Sequence, residues 1–376
     1  MSGFTDSAEP TGPGSLAHIV ANARIQRLSL IGLAKNVGKT TATNHLLRML
    51  LEHGLYEASE LGLTSLGLDG EAVDAMTGLP KPRYVPQAGL LLATTAELLR
   101  QAESEGARFQ RLQQLPGRTA IGPVVLARIE QPGRVVIAGP TLLRDLRFTL
   151  DRFSASGAKL GIIDGAINRL GAAAPTITDA CILCVGASLA ASPALAARRS
   201  VEALKRLMIQ RSARSDAYMN LHAHARLLCF RPDQAEMAAA TFGGLAEPEN
   251  EARWIVEQMR DNEQVFYFLH GALTEELTRA LLSQFPQQLT DRRAEIIVED
   301  ATKVFCHAIT LQRLAARGLE VCVARPIRIL AITINPFTPE YSCSSQQFLD
   351  ALLRELPENY PPVIDVVSGI FHTQGM

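Results

Sequence analysis

The sequence is poor in lysine, cysteine and aromatic residues, and its net charge is close to zero. Lysine supplies six of the 37 basic residues, cysteine occurs six times, aromatic residues make up 5% of the chain, and the net charge is -1. Balanced charge with no stretch rich in Lys and Arg argues against a nucleic-acid groove. Six cysteines are too few for a disulfide scaffold in a chain of 376 residues.

Long apolar runs are absent as well. Arg, Asp or Gly breaks each run before it reaches the roughly 18 residues of a membrane span, and the N-terminus lacks a basic segment followed by an apolar one. We therefore predict a cytoplasmic protein with neither membrane nor nucleic acid among its partners.

The remaining composition is that of an ordinary globular protein. Hydrophobic residues are 47% and charged residues 20% of the chain, which is enough apolar material for a large core. Predicted strands alternate with predicted helices, as in α/β proteins with a parallel sheet. At about 150 residues per domain, the length favours two domains or one large α/β domain.

One loop carries a specific signal for phosphate binding. The segment GLAKNVGKT, residues 32 to 40, fits the pattern G-x-x-x-x-G-K-[ST] and lies between a predicted strand and a predicted helix. In this pattern the backbone N–H groups surround a phosphate, the lysine reaches the β- and γ-phosphate oxygens, and the Ser or Thr hydroxyl binds Mg²⁺. A chance match is expected on the order of a few times in a thousand chains. The predicted nucleotide-binding residues are Gly32, Asn36, Val37, Gly38, Lys39, Thr40 and Thr41.

Two lysines of this loop are predicted to act in catalysis. Lys39 is the lysine of the motif, and in a chain where lysine is rare its position argues for a compact point charge. Lys35 lies within the loop, where it either stabilises charge on the γ-phosphoryl group or is a solvated loop residue. The sequence leaves both interpretations of Lys35 open.

A buried strand that ends in a carboxylate supplies a candidate Mg²⁺ ligand. The segment LGIIDG, residues 160 to 165, is an apolar run followed by Asp164 and a glycine. Because P-loop proteins use such a carboxylate beside the metal, we predict a metal-binding and catalytic role for Asp164. An Asp that only caps the next turn is the alternative. Asn168 and Arg169 follow on the same loop and are candidates to face the nucleotide or a substrate.

A second loop offers further charged residues. Asp69 and Glu71 follow the second predicted strand, and Lys81 lies further along the chain. Loops at the carboxyl ends of parallel strands line the ligand crevice, so Asp69 and Glu71 are candidates to hold Mg²⁺ or a water, and Asp69 is predicted as another Mg²⁺ ligand. A polar surface turn explains the same residues equally well.

Two short patterns are not interpreted as metal sites. Cys181 and Cys184 form a CxxC on an apolar strand, where their side chains point to opposite faces and indicate buried packing. His222 and His224 have no Cys or carboxylate companion close in the sequence, which favours a solvated pair.

The order of predicted elements divides the chain into three parts. Residues 1–20 are predicted to be a flexible tail, because they are rich in Gly, Pro and Ser. Residues 21–235 are predicted to form a three-layer P-loop NTPase domain with a mostly parallel sheet, and residues 236–376 a C-terminal α/β domain of unknown role. Within the first domain we predict one helix over residues 89–106 and a hairpin turn at residues 131–133.

The loop and the segments around it resemble a known family. GLAKNVGKTT, with a later strand ending in an acidic residue and Gly as in IIDGA, is similar to dethiobiotin synthetase and the cobyrinate-amidation enzymes. GLTSLGLDGE, GIIDGAINRLG and TDACILCVGAS together look more like the proposed ATPase reactivase subunit of lysine 5,6-aminomutase, an adenosylcobalamin enzyme. This resemblance covers about residues 25 to 210 and, more loosely, INPFTP at residues 334–339.

The resemblance implies both a site and a function. It makes Lys39, Thr40 and Asp164 residues that bind nucleotide and Mg²⁺, with ATP as the nucleotide. It implies a protein client such as a cobalamin-dependent aminomutase, which nucleotide turnover would reactivate or remodel, and it leaves room for a homodimer. The alternative is a ligase like dethiobiotin synthetase that phosphorylates a small carboxylate, although Asp164 stands where that enzyme usually has Glu. Adenine is favoured over guanine because the chain lacks an Asn-Lys-x-Asp motif.

Overall fold

The chain forms two compact units in the computed structural model. The structure describes residues 15–69, 84–165, 170–219, 225–231, 236–241, 247–260, 264–285 and 293–374. The first unit contains residues 1–201 and 328–376, and the second contains residues 202–327. The described part is an α/β structure, as predicted, and none of its helices is long and apolar enough to cross a membrane.

The first unit is built on one large sheet with helices packed against it, and its elements are numbered along the whole chain. Its helices are α1 (Leu16–Asn22), α2 (Lys39–Glu52), α3 (Ala96–Ser104), α4 (Leu143–Ala155), α5 (Pro193–Leu207), which continues into the second unit, and α10 (Ser345–Leu353). The strands of the large sheet are β1 (Arg27–Gly32), β2 (Leu61–Ser65), β4 (Leu91–Thr95), β5 (Arg108–Thr119), β6 (Gly122–Gln131), β8 (Leu160–Asp164), β9 (Ala180–Gly186), β17 (Ile329–Asn335), β18 (Val363–Asp365) and β19 (Ile370–His372). Two short strands, β3 (Leu68–Asp69) and β7 (Ile137–Ala138), pair separately.

This sheet is mostly parallel, with antiparallel strands at its edges. Its order is β19-β18-β17-β9-β1-β8-β2-β4-β6-β5. All pairs from β18 to β4 are parallel, whereas β19, β6 and β5 pair antiparallel with their neighbours. Strand β1 therefore lies between β9 and β8, and the carboxyl ends of all three meet at one edge, where parallel α/β sheets bind ligands.

Both faces of the sheet carry a hydrophobic core. Successive side chains of a strand point to opposite faces. In β4, Leu92 joins a buried cluster that includes residues of α2 and α3, whereas Leu91 and Ala93 join a second cluster with residues of α4. Helices therefore cover the sheet on both sides.

The second unit is a smaller α/β structure. Its sheet has the order β11-β10-β12-β14-β16, in which β12, β14 and β16 are parallel and β10 is antiparallel to both of its neighbours. The strands are β10 (Leu227–Phe230), β11 (Glu236–Ala240), β12 (Gln264–Leu269), β14 (Arg293–Val298) and β16 (Leu319–Val323), with β13 (Leu273–Thr274) and β15 (Val304–Phe305) paired apart from them. The helices are α6 (Ser215–Met219), α7 (Pro248–Arg260), α8 (Glu275–Gln284) and α9 (Ala308–Ala315).

The contacts divide the chain differently from the predicted boundary at residue 235. Residues 202–235 belong to the second unit, and residues 328–376 return to the first. The reason is the parallel pairing of β17 with β9, from Ala331 opposite Ile182 to Asn335 opposite Gly186. This pairing adds strands from the end of the chain to the first sheet, so the second unit is an insertion in the sequence of the first.

The predicted tail of residues 1–20 overlaps a buried helix. Helix α1 begins after Ser15, whose hydroxyl accepts a hydrogen bond from the N–H of His18 at 3.4 Å. Leu16, Ala17 and Val20 are fully buried. Their spacing puts them on one helical face, which the Gly and Pro content of the preceding residues obscured. Residues 1–14 lie outside the described part.

Two local predictions in the first unit are wrong. The segment 89–106 forms strand β4 followed by helix α3, with Thr95 as the N-cap whose hydroxyl accepts from the N–H of Leu98 at 3.5 Å. Burial between β2 and β6 favours the strand over helix propensity. The hairpin turn lies between Thr119 and Gly122, where β5 meets β6, and not at residues 131–133.

Candidate functional site

Two residues with positive φ curl the loop between β1 and α2. Asn36 has a φ of 59° and Gly38 a φ of 86°. Glycine adopts this region at no steric cost, and Asn tolerates it better than most residues. Gly38 is also the N-cap of α2, which has neither a side-chain cap nor an acidic residue in its first turn. The start of α2 is therefore suited to an anion.

The Lys39 side chain runs back across the loop over Gly32. A Cβ atom placed on Gly32 would lie 2.9 Å from Cδ of Lys39 and 2.7 Å from Cγ2 of Val37. Lys39 is 7% exposed, and the described residues place no carboxylate within ion-pair distance of it. A largely buried lysine residue without a counter-charge is costly, so this arrangement favours an anionic ligand.

Asp164 lies beside the loop at the carboxyl end of β8. Its strand register places it opposite Leu30 of β1 and Ser65 of β2, and it is fully buried. Its Oδ2 accepts hydrogen bonds from the hydroxyl groups of Thr40 at 3.2 Å and Thr43 at 3.5 Å. The structure thus brings Thr40 and Asp164, which are 124 residues apart in the chain, into direct contact.

The outer side of the loop is held by residues that follow β9 and end β17. The hydroxyl of Ser188 donates to the carbonyl of Lys35 at 3.1 Å, and Nδ2 of Asn335 donates to the carbonyl of Asn36 at 2.6 Å. In a trans peptide the C=O and N–H groups point in opposite directions. The N–H groups of Asn36 and Val37 therefore point away from these donors, as a loop that binds phosphate requires.

Lys35 contributes its backbone to this arrangement. Lys35 is half-buried, and the described residues show no hydrogen bond or ion pair to its ammonium group. Its two interpretations, as a charge that faces phosphate and as a solvated residue, both stay predictions. Thr41 is half-buried at the third position of α2.

The charged residues of the second loop lie mostly beyond the described part. Asp69 belongs to β3, and its backbone pairs with β7. The side chain of Asp69 lies outside the described residues, as do Glu71, Lys81, Asn168 and Arg169 entirely. Their suggested roles stay predictions.

Tyr84 belongs to the site without any signal in the sequence. Its buried hydroxyl group donates to Oδ2 of Asp164. It lies in a Pro-containing stretch with no periodicity or motif. Thr43 could have been found, because it lies one helical turn after Thr40 and on the same face. Asn335 had a weak signal, as an amide side chain at the end of an apolar run.

The two cysteines of β9 are kept protonated. Both are fully buried. Burial raises the pKa of both the Cys181 and Cys184 thiols, that of Cys184 to about 12. A thiol must lose its proton to bind a metal, so the pair is buried packing. No group of three His, Cys, Asp or Glu side chains suited to a metal occurs among the described residues.

No protein-family model matches the chain, and no curated protein matches it. The function must therefore be inferred from the geometry of the loop, Lys39 and Asp164.

Proposed function

We propose that the chain is a P-loop protein that binds ATP with Mg²⁺ and hydrolyses it, on a three-layer P-loop NTPase fold. One observation carries the proposal: the Thr40 hydroxyl, directly after the loop lysine, contacts Asp164 on the neighbouring strand at 3.2 Å. In P-loop proteins a hydroxyl and a carboxylate at these two positions hold the metal beside the phosphates. A merely Gly-rich turn does not require this contact.

The residues fit a nucleotide and Mg²⁺ in shape and in chemistry. Gly32 leaves room for the side chain of Lys39, and Gly38 leaves room for the side chain of Asn335. Lys39 and the N-terminus of α2 would bind the β- and γ-phosphates. A hydroxyl and a carboxylate are the hard oxygen ligands that Mg²⁺ prefers, so Thr40 and Asp164 would hold it. Bound Mg²⁺ supplies positive charge to the phosphate oxygens.

Reactivation or remodelling of a protein client is the second part of the proposal. The resemblance to the reactivase family suggests a cobalamin-dependent aminomutase as the client. The second unit supports a role beyond hydrolysis, because an inserted α/β body of residues 202–327 is more than a phosphate site needs. The chain enters the insertion through α5, which follows Ser188, and returns from it through β17, which ends at Asn335, so one element separates each of these loop-holding groups from the insertion.

Calorimetric titration of the full chain with ATP and with GTP, each with Mg²⁺, tests nucleotide binding. We expect ATP to bind and to bind more tightly than GTP, because the sequence has no Asn-Lys-x-Asp motif for guanine. Repeating the titrations in EDTA should weaken ATP binding. Absence of binding by both nucleotides, or tighter binding of GTP, would contradict the proposal.

Measurements of ATP turnover with different additions test the client. We expect a candidate cobalamin-dependent aminomutase to accelerate turnover, and a panel of diamino and carboxylate compounds to leave it unchanged. If ADP is instead released in stoichiometric amounts only when a small acid is present, the chain is a ligase that activates carboxylates.

Replacing Asn335 with Ala should weaken nucleotide binding about three- to tenfold, because a typical hydrogen bond contributes about 0.5–1.5 kcal/mol. The lost bond holds the carbonyl of Asn36, so we expect the same loss in EDTA and in Mg²⁺. Calorimetry with ADP measures both. Asn250→Ala is the control, since this exposed Asn bonds to Glu247 on the second unit. If the Asn335 variant and wild type bind ADP with equal affinity, the hydrogen bond from Asn335 to the carbonyl of Asn36 is not needed for nucleotide binding.

A further inference from the structure

Tyr84 is tied to the metal side of the site by its side chain and to the sheet by its backbone. Its hydroxyl donates to Oδ2 of Asp164, and its side chain is fully buried. Its carbonyl accepts a hydrogen bond from the N–H of Val135 at 3.0 Å, within an isolated antiparallel bridge between the two residues. The ring is therefore fixed from both ends, so the hydroxyl has a defined direction toward the carboxylate.

Three hydroxyl groups converge on the same carboxylate oxygen. Thr40, Thr43 and Tyr84 all donate to Oδ2 of Asp164. Thr40 and Thr43 both belong to α2, the helix that starts at the loop, whereas Tyr84 approaches from outside the motif. A phenol is a stronger acid than an alkyl hydroxyl, and hydrogen bonds to an ionised acceptor are the strong ones. Tyr84 is therefore a donor that restrains the carboxylate independently of the loop.

We propose that Tyr84 is a positioning residue that orients Asp164 for Mg²⁺. This inference rests on the proposed nucleotide site. If Thr40 turns its oxygen to the metal, its hydrogen bond to Asp164 must be rearranged, and the bond from Tyr84 then maintains the direction of the carboxylate. Groups that orient metal ligands commonly affect metal affinity 10- to 100-fold. The Tyr84 hydroxyl should accordingly affect the gain in nucleotide affinity that Mg²⁺ provides. It should not affect the affinity that the loop provides without Mg²⁺.

Tyr84→Phe tests this, because it removes the hydroxyl group and keeps the buried ring. The probe is ADP, titrated by calorimetry in EDTA and at a series of Mg²⁺ concentrations, so that no turnover is needed. We expect ADP affinity in EDTA to stay within about twofold of wild type. The Mg²⁺ concentration that gives half of the metal-dependent gain in affinity should rise about tenfold.

Tyr267→Phe is the matched control. Tyr267 is another fully buried tyrosine, and its hydroxyl donates to the carbonyl of Ile255 at 2.7 Å within the second unit. This variant loses a comparable buried hydrogen bond, so we expect it to alter thermal unfolding without altering the Mg²⁺ dependence. Thermal unfolding of both variants separates an effect on folding from an effect on the metal.

Each remaining outcome has one meaning. If wild-type protein binds ADP neither in EDTA nor in Mg²⁺, the proposed nucleotide site is wrong, and the role of Tyr84 is wrong with it. If wild type binds ADP with a gain from Mg²⁺ that Tyr84→Phe leaves unchanged, the nucleotide site stands and the role of Tyr84 is overturned. Equal loss in EDTA and in Mg²⁺, or the lack of a cooperative unfolding transition, also overturns it, because either result makes Tyr84 a support of the fold.

Discussion

Replacing Lys39 with Ala should weaken ATP binding roughly 10- to 100-fold, because a hydrogen bond to a charged group contributes about 1.5–3 kcal/mol. Lys39 is 7% exposed, the Cδ of its side chain passes over Gly32, and the described residues provide no carboxylate to neutralise its charge. The phosphates would therefore lose a charge that is already in position. Calorimetric titration with ATP and Mg²⁺ measures the loss.

The stability of the nucleotide-free protein should respond differently to the same change. Since no described ion pair is broken, we expect the free energy of unfolding to stay within about 1 kcal/mol of wild type. Lys159→Ala is the matched control, because Lys159 is an exposed lysine paired with Glu60. It should leave ATP affinity unchanged. If the Lys39 variant binds ATP as tightly as wild type, Lys39 does not bind the phosphates, and Lys35 is the next candidate for that role.

The loop could be predicted from the sequence because its chemistry is local. Gly38, Lys39 and Thr40 are consecutive, and their backbone conformation follows from the glycine and from the helix that starts there. Asp164 was also predictable as a position, since an apolar run that ends in a carboxylate indicates a buried parallel strand. That β8 would pair with β1, and so bring Asp164 to Thr40, is a non-local event. The contact between Asp164 and Thr40 could be expected only from the general rule that the carboxyl ends of parallel strands meet at one edge of the sheet.

The division into units was not predictable, because it depends on which strands pair. The run from Ile329 to Asn335 has the apolar pattern of a buried strand in either unit. It joins β9 in the first sheet although about 140 residues separate the two segments along the chain. No residue in the run indicates which of the two sheets the strand joins. The same pairing carries Asn335 to the loop, which is why its contact with Asn36 could not be foreseen.

Tyr84 shows a different limit of sequence reasoning. A single tyrosine has neither a period nor a spacing, and its role depends on a hydroxyl group meeting Asp164, 80 residues further along the chain. The split of residues 89–106 into β4 and α3 has a similar cause, because the Leu-rich stretch suits a helix until neighbouring strands bury it. Tertiary packing decides both cases.

Replacing Asp164 with Asn should reduce ATP turnover about 100-fold or more, because charge stabilisation at a metal site contributes several kcal/mol. Asn keeps the shape of the side chain and an oxygen that can accept from Thr40, Thr43 and Tyr84. It loses the negative charge that would hold Mg²⁺, directly or through one of the waters that this ion commonly keeps. Nucleotide affinity depends mainly on Lys39 and the loop, so we expect it to stay within about fivefold of wild type. Steady-state turnover and calorimetry on the same preparation measure the two effects.

Asp179→Asn is the control for this last prediction. Asp179 is also an Asp of the first unit, but its Oδ2 accepts the backbone N–H groups of Gln26 at 2.8 Å and Arg27 at 2.9 Å. It thus stabilises the start of β1, so its replacement should lower thermal stability and leave turnover per folded molecule unchanged. An Asp164 that only caps the following turn would likewise leave turnover unchanged on replacement, since Asn is as good a cap as Asp. Near-wild-type turnover of Asp164→Asn would therefore place the metal carboxylate elsewhere, and Asp69 would be the next residue to replace.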